Sequence, residues 1–167
     1  QLVKKGKLSE VMGIIVNSNP DNVRGKRGVL VYEEFGSFPK VDETWLTAQS
    51  GAEENGTVFA TQYGFGTGGD SDADIEPLIK MFNDPKAYNI LQFENVWEEM
   101  MQGYTNSYFT PAYVNITYKD ENGNSLKEEA KEYYNSKREE LQNAQDPRVL
   151  PRHKAEHPFT PSEALSQ

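Results

Sequence analysis

Residues Val29 to Gly36 read VLVYEEFG, and this stretch says more about the fold than any other part of the sequence. Val29–Tyr32 is a short run of β-branched, aliphatic and aromatic residues, which is typical of a buried strand. The run ends abruptly in two carboxylates, Glu33 and Glu34. The pattern therefore predicts a core strand that delivers two acidic side chains to one edge of a sheet.

These two carboxylates are open to more than one interpretation. They fit a Walker B site, in which the first acid orients Mg²⁺ and the second positions the water that attacks a phosphate. They equally fit a structural strand that leaves the core through two solvated glutamates, and the pattern alone favours this alternative because it is common. A hydrolase that uses Glu33 and Glu34 as a pair is disfavoured, since adjacent strand residues point to opposite faces.

Further apolar segments predict an α/β fold around this strand. Val11–Val16 (VMGIIV) and Thr57–Phe65 (TVFATQYGF) are predicted strands, whereas Asp42–Ala48 and Asp74–Phe82 are predicted helices. The connections between the strands are long enough for crossovers, so we expect a mainly parallel sheet. Glu33, Glu34 and Thr67 should then cluster at the carboxyl edge of that sheet.

The C-terminal half predicts an irregular α+β subregion. Tyr88–Gln102 has apolar residues at roughly helical spacing, and Tyr108–Tyr118 alternates in a way that suggests one or two strands. Ser125–Gln142 is a predicted helix, with Ser125 as its N-cap. The tail from Asp146 contains four prolines, which predicts a linker or a docked extension.

The composition limits the possible functions. A chain of 167 residues fits one domain with a real core, and the absence of cysteine excludes disulfides and cysteine-based zinc sites. Residues 1–40 hold seven Lys and Arg against four acidic residues, whereas the remainder holds ten against 22, which gives a net charge of −9. An acidic total argues against a dedicated nucleic-acid-binding module, although a motor could contact DNA through another surface. No apolar run is long enough to span a bilayer.

A glycine-rich stretch imitates a dinucleotide fingerprint. Gly64–Gly69 (GFGTGG) matches G-x-G-x-x-G after a predicted strand, and Asp84 follows twenty residues after Gly64. Asp84, however, precedes Pro85 after a predicted helix, whereas the fingerprint acid should end a second strand. A structural turn is therefore the favoured interpretation.

Two metal-binding patterns are incomplete. Asp70, Asp72 and Asp74 imitate the start of an EF-hand loop, but the required glycine and the final glutamate are absent. His153–His157 matches H-x-x-E-H, the inverted zinc-protease pattern. The prolines that flank this pattern leave room for barely two helical turns, so zinc chemistry is not expected there.

Taken in order, these segments resemble the large terminase subunits of tailed phages, the ATP-driven motors that package DNA. The resemblance covers nearly the whole chain. Its matching stretches are NVRGKRGVLVYEEFGSFP, GTGGD, NDPKAYNI, FENVW, YFTPAYVN, DENGNSL and AEHPFTPSEAL.

The resemblance implies roles for individual residues. Glu33 corresponds to the Mg²⁺-associated Walker B acid, where the family usually has Asp, and Glu34 to the catalytic glutamate. Gly66–Thr67–Gly68 corresponds to the coupling motif that senses the γ-phosphate; the rival frame, Ala60–Thr61, is disfavoured because it lies within the predicted strand. Arg24 and Arg27 precede the Walker B strand, and neither can be assigned as an arginine finger.

The resemblance also implies a domain plan. Residues 1–87 would be the second half of the ATPase core, 88–145 a subdomain with the long helix, and 146–167 a linker toward a nuclease domain. The phosphate-binding motif G-x-x-x-x-G-K-S/T is absent from the sequence. Because this loop and its lysine hold the phosphates, we expect Mg–ATP to bind in the intact protein but not tightly to this chain.

The implied partners are those of a packaging motor. They are double-stranded DNA, the portal and the small terminase subunit, in the cytoplasm of a bacterial host and without a membrane. A partial sheet with an open edge also predicts a homo-oligomer. The alternative is a protein-interaction module without catalysis that binds a partner through aromatic residues between Tyr104 and Tyr118.

Overall fold

The computed structural model describes residues 10–17, 19–38, 40–67, 75–114 and 117–166. The described residues are 40% helix and 13% strand, and their strands form three two-stranded sheets, one of which is parallel. The strands are β1 (Gly28–Tyr32), β2 (Glu53–Glu54), β3 (Thr57–Val58), β4 (Ala60–Gly64), β5 (Phe93–Glu94) and β6 (Thr105–Asn106). The helices are α1 (Val41–Gln49), α2 (Glu76–Asn83), α3 (Lys127–Gln142), α4 (Val149–Glu156) and α5 (Pro161–Ala164). Short 3₁₀ turns occupy Pro20–Val23, Phe35–Ser37, Pro85–Tyr88 and Glu99–Met101.

Strands β1 and β4 pair in parallel, with α1 in the connection between them. Their register runs from Gly28 opposite Ala60 to Tyr32 opposite Gly64. This pairing confirms the prediction that Val29–Tyr32 and the strand within Thr57–Phe65 are parallel neighbours. The first part of that predicted strand instead forms β3, which folds back on β2 as a small antiparallel hairpin. Asn55 and Gly56 turn the hairpin, both with positive φ, as a tight Asn-Gly turn requires.

The core lies between the inner face of this sheet and helix α1. Leu30 and Tyr32 point inward from β1, and the indole Nε1 of Trp45 on α1 donates to the carbonyl oxygen of Tyr88 at 2.9 Å. The buried members of the cluster are Val16, Val23, Tyr32, Phe35, Val41, Trp45, Ala48 and Met81. This packing confirms the predicted helix at Asp42–Ala48 and explains its boundaries, because α1 begins at a buried valine.

The predicted strand at Val11–Val16 is wrong. The described part of this segment has no strand, and Val11 and Ile15 are exposed while Val16 alone is buried. The backbone of the segment bonds locally: the Asn22 side-chain amide donates to the carbonyl oxygen of Ile15 at 2.9 Å. Without a paired neighbour an apolar run gains little from extended structure. The parallel sheet of the described residues therefore has two strands rather than three, too few to define a P-loop type.

The C-terminal subregion is irregular, as predicted, but two of its elements differ from prediction. Tyr88–Gln102 contains the short strand β5 and the 3₁₀ turn Glu99–Met101 rather than a helix. In the described part of Tyr108–Tyr118 there is no strand. Its aromatic side chains pack face to edge instead: Phe109 lies 5.2 Å from Trp97, and Tyr113 lies 5.5 Å from Phe159.

The long helix α3 and the docked tail complete the fold. Helix α3 confirms the predicted helix, although it begins at Lys127 and Ser125 does not cap it. The tail forms α4 and α5 and docks on α3. Arg138 of α3 donates to both carboxylate oxygens of Glu163 at 3.0 and 2.8 Å, so the proline-rich segment is an extension packed against the fold.

Candidate functional site at the sheet edge

Glu33 and Glu34, the two carboxylates of the stretch Val29–Gly36, lie just after the end of β1, where the backbone turns sharply. Glu34 has a left-handed backbone (φ 54°) and immediately precedes the 3₁₀ turn Phe35–Ser37. The side chains of Glu33 and Glu34 are both exposed. A non-glycine residue in this conformation is uncommon, and the surrounding packing must hold it there.

Phe35 provides that packing. Its ring is buried and lies 5.7 Å from the ring of Tyr32 and 5.8 Å from that of Trp45. Because Phe35 points into the core directly after the strand, the two preceding glutamates are left at the solvent edge. Aromatic burial of this size outweighs the cost of one left-handed residue.

The end of β4 lies directly against this turn. The amide of Phe65 donates to the carbonyl oxygen of Tyr32 at 3.1 Å, and the amide of Phe35 donates to that of Phe65 at 3.0 Å. A Cβ atom placed on Gly66 would lie 2.7 Å from the Phe35 nitrogen and 3.3 Å from the Glu34 Cα. Only glycine, which has no Cβ atom, allows these two backbone segments to approach this closely.

The structure thus brings one predicted pair together: Glu34 and Gly66 are in backbone contact. Thr67 follows Gly66 and is exposed, and Gly68 lies outside the described residues. The rival coupling frame, Ala60–Thr61, lies at the opposite end of β4, opposite the start of β1. The geometry therefore favours the frame that contains Gly66.

Glu33 and Glu34 give this edge of the sheet a negative charge. Among the described residues, no hydrogen bond or ion pair engages the side chain of Glu33 or of Glu34. Two such carboxylates can supply part of the oxygen ligand set of a Mg²⁺ ion or orient a water molecule. Nowhere in the described ranges do three or more His, Asp or Glu side chains form a group that could hold a metal ion by themselves.

Neither of the preceding arginines lies at this edge. Arg24 pairs with Asp21 at 2.6 Å, and Arg27 pairs with Glu54 at 3.1 Å while covering the ring of Phe59. Arg27 directly precedes β1, whereas the glutamates follow it. A five-residue strand is about 16 Å long, so Arg27 lies at the far end of the strand from the carboxylates.

The two histidines of the H-x-x-E-H pattern near the C-terminus lie side by side, and the glutamate of the pattern forms an ion pair. His153 lies on α4, His157 lies just beyond its end, and their ring centroids are 4.8 Å apart. Glu156 is paired with Arg152 at 3.2 Å rather than directed at a metal. Burial, followed by the nearby charges of His157 and Arg138, lowers the pKa of His153. The EF-hand-like acids from Asp70 to Asp74 lie outside the described residues.

One cavity was not anticipated from the sequence. It encloses about 450 Å³ between α2, the β5–β6 hairpin and α5. Asn95, Glu98 and Asn106 line it. Asn95 belongs to the stretch FENVW, but the sequence predicted no site role for any of the three. The only hint in the sequence is that Asn89–Tyr118 contains three glutamates and no lysine or arginine.

The fold and the edge define a mixed helix–strand protein with a small parallel sheet and two carboxylates after its first strand. No protein-family model, curated protein or solved structure matched the chain. In the described part of the chain, no helix has the length and apolarity needed to cross a membrane.

Proposed function

We propose that this chain is part of a large terminase subunit of a tailed phage or prophage and carries the acidic half of its ATPase site. The contact between Glu34 and Gly66 is the observation that supports this most strongly. A Walker B glutamate and a coupling loop must lie side by side if hydrolysis is to move the loop. The two segments are 32 residues apart in the sequence, and the parallel register that sets Tyr32 opposite Gly64 carries both to the same edge of the sheet.

In this proposal the edge acts on Mg–ATP held by other parts of the intact protein. Glu33 associates with Mg²⁺, and Glu34 orients the water that attacks the γ-phosphate. Gly66, Thr67 and Gly68 form the coupling loop. Because Gly66 contacts the Glu34 backbone without room for a side chain, a shift of the loop would be transmitted to the catalytic carboxylate.

The chain does not supply the remaining parts of such a site. Phosphoryl transfer depends on a backbone cradle and a lysine that neutralise the phosphates, and the motif that provides them is absent from the sequence. ATP hydrolysis, double-stranded DNA translocation, and contacts with the portal and small terminase subunit, all in the host cytoplasm, are therefore proposed for the intact protein.

The coding sequence directly before the codon for Gln1 tests this proposal at once. We expect an open reading frame that encodes G-x-x-x-x-G-K-S/T upstream of the stretch Val29–Gly36. A frame that is closed directly before Gln1, or that lacks a phosphate-binding loop, would contradict the proposal.

A second candidate is a non-catalytic interaction module. It is favoured by apolar side chains that the described structure leaves exposed, among them Tyr104 and Tyr108, each about two-thirds exposed. The two candidates differ in what Glu34 does. In an interaction module, Glu34→Gln would leave every activity unchanged.

A further inference from the structure

The tail from Asp146 packs on helix α3 through a cluster of two imidazoles, a phenol and a guanidinium. The members of this histidine cluster are His153, His157, Tyr134 and Arg138. The ring centroids of His153 and His157 are 4.8 Å apart, and the His157 ring stacks on that of Tyr134 at 5.1 Å. The guanidinium of Arg138 donates to the carbonyl oxygen of His157 at 2.9 Å. Two side chains of α3 and two of the tail therefore form one contact.

The histidine cluster holds every histidine of the chain. The sequence has two histidines and no cysteine. Histidine is the side chain whose ordinary pKa lies between pH 5 and pH 8. A change of structure with pH in this range is therefore expected to begin at this cluster.

A proton on His153 is unfavourable while the tail is docked. The Nε2 atom of His153 is buried and makes no hydrogen bond to any described residue, so a charged N–H there lacks an acceptor. Burial first, and then the charges of His157 and Arg138, lower the pKa of His153. The packed cluster therefore favours the neutral ring.

The charged groups around this ring come from α3, α4 and α5. Lys137 and Arg138 of α3 oppose protonation, whereas Glu156 of α4 favours it. Glu156, however, pairs with Arg152 at 3.2 Å. Glu163 of α5 accepts from Arg138 through both carboxylate oxygens. Each of these carboxylates is thus already paired with an arginine, so a protonated imidazole adds positive charge that no further carboxylate of the cluster balances.

Opening of the tail removes the cost of protonation. Once α4 leaves α3, the imidazole returns to water, where its ordinary pKa of about 6.5 holds. An open tail therefore binds the proton more readily than a docked tail, and acid shifts the balance toward the open form. The tail also lines the cavity beside α2 through Ser162 and Leu165, so opening uncovers that cavity.

We propose that His153 is the sensor of a pH-dependent contact, which holds the tail on α3 at neutral pH and loosens it below about pH 6.5. His157 and Arg138 supply the like charges that make this contact responsive. Opening uncovers the face of Tyr134 on which the His157 ring rests. The contact is independent of the proposed ATPase function, because the cluster contains no residue of the sheet edge.

Two backbone amides report directly on docking of the tail. The amide of Ala112 donates to the carbonyl oxygen of Pro158 at 2.7 Å, and the amide of Ser162 donates to the carboxylate of Glu98 at 3.1 Å. Both bonds join the tail to another part of the fold. Each amide is therefore protected from hydrogen exchange by these bonds only while the tail is docked.

Hydrogen exchange of these amides in the full 167-residue chain tests the proposal. Nuclear magnetic resonance gives protection factors at pH 7.5 and pH 5.5, corrected for the intrinsic effect of pH on exchange. We expect Ala112 and Ser162 to exchange more readily than the amides of α1, because the tail opens without the rest of the fold. Their protection should fall about three- to tenfold at the lower pH, since one histidine contributes at most about tenfold over the pH unit below 6.5.

Three substitutions assign the loss of protection to one ring. His153→Phe keeps an aromatic ring without a titrating nitrogen and should hold the protection of both amides within about twofold between the two pH values. His153→Gln is a second non-titrating variant, smaller than phenylalanine, and should behave in the same way. Lys154→Gln removes a positive charge from the adjacent residue and should retain the full loss. Protection at pH 7.5 verifies that the tail of each variant is docked.

The proposal is overturned if both His153 variants lose as much protection as the unchanged chain, or if Lys154→Gln abolishes the loss. It is also overturned if Ala112 and Ser162 are as strongly protected as the amides of α1 at both pH values, because the tail then opens only with the whole fold.

Discussion

At the scale of single residues, the sheet edge depends on an aromatic residue and a glycine. Phe35 is buried in the core, and its burial sets the exposed position of the two glutamates before it. Gly66 then allows the second strand to reach the same place. The position of the two carboxylates at the sheet edge was predictable from the sequence, because an apolar run followed by acidic residues is a strong local pattern. The meeting of the two segments at this edge was also predictable, because parallel strands end at the same edge. The tight contact that requires glycine at position 66 was not, because it depends on how closely the backbones of Phe35 and Gly66 approach.

Replacement of Gly66 by alanine should destabilise the fold. The added Cβ would meet the Phe35 nitrogen at 2.7 Å, a contact that requires the backbone to move. We expect the free energy of unfolding in a urea titration to fall by about 1–3 kcal/mol. Gly13→Ala is the matched control, because a Cβ there meets nothing within 4 Å, and it should change stability by less than about 0.5 kcal/mol. Equal effects of the two substitutions would contradict the observed approach.

His153 should make stability depend on pH. Its folded-state pKa is lowered by burial and then by the charges of His157 and Arg138. The unfolded chain therefore binds a proton at His153 more readily than the folded chain does. The contribution of neutral His153 to the free energy of unfolding is fully present above about pH 6.5 and is lost as the pH falls. Thermal unfolding should show a smaller loss between pH 7 and pH 5 for His153→Gln than for the unchanged chain. A steeper loss in the variant would contradict this sign.

At the scale of elements, local sequence patterns correctly predicted the strands and helices that tertiary packing also stabilises. Strand β1, helix α1 and the pairing of β1 with β4 followed from apolar runs and periodicity, and β1 and α1 both contribute side chains to one core. The apolar segment at Val11–Val16 and the aromatic segment at Tyr108–Tyr118 have equally strong strand patterns. They fail because strand formation needs a neighbour with free backbone groups, which a sequence pattern cannot supply. In the second segment, ring packing such as Tyr118 on Tyr133 at 5.8 Å takes the place of a ladder.

The ion pair between Arg138 and Glu163 should be the main attachment of the tail. The Arg138 side chain is only 11% exposed, lies over the Phe159 ring at 3.8 Å and forms two bonds to one carboxylate. Removal of the Arg138 guanidinium leaves the negative charge of Glu163 without its partner. We therefore expect Arg138→Ala to lower the free energy of unfolding in a urea titration by about 3–5 kcal/mol. Arg152→Ala breaks the exposed pair with Glu156 and should cost less than about 1 kcal/mol. Similar costs for both would show that the tail is held by other contacts.

At the scale of the whole molecule, the described residues cover only one face of the sheet. Val29 and Val31 of β1 and Tyr63 of β4 point outward and are more than half exposed, as is Phe65 just beyond β4. With only two paired strands in the described part of the chain, an apolar face and strand edges remain available. Such surfaces favour association with another copy or with further sheet structure.

The isolated chain should therefore self-associate. Light scattering over a range of concentrations should show an average mass that rises above that of a monomer. Val31→Lys places a charge on the outer sheet face and should shift the chain toward monomer, whereas Leu91→Lys, a charge at an even more exposed residue outside the sheet, should not. A strict monomer at every concentration would contradict the prediction.

The central claim is that Glu34 belongs to an ATPase site, and one measurement tests it most directly. Mg–ATP turnover should be measured in the longer polypeptide in which a phosphate-binding loop precedes this sequence, with Glu34 intact and as Glu34→Gln. We expect the substitution to lower turnover by about 10²-fold or more while nucleotide affinity stays nearly unchanged, because Glu34 orients the water and does not hold the phosphates. The 167-residue chain alone should show no turnover. Unchanged turnover in Glu34→Gln would contradict the account and favour the interaction module. Hydrolysis by the short chain alone would also contradict the account.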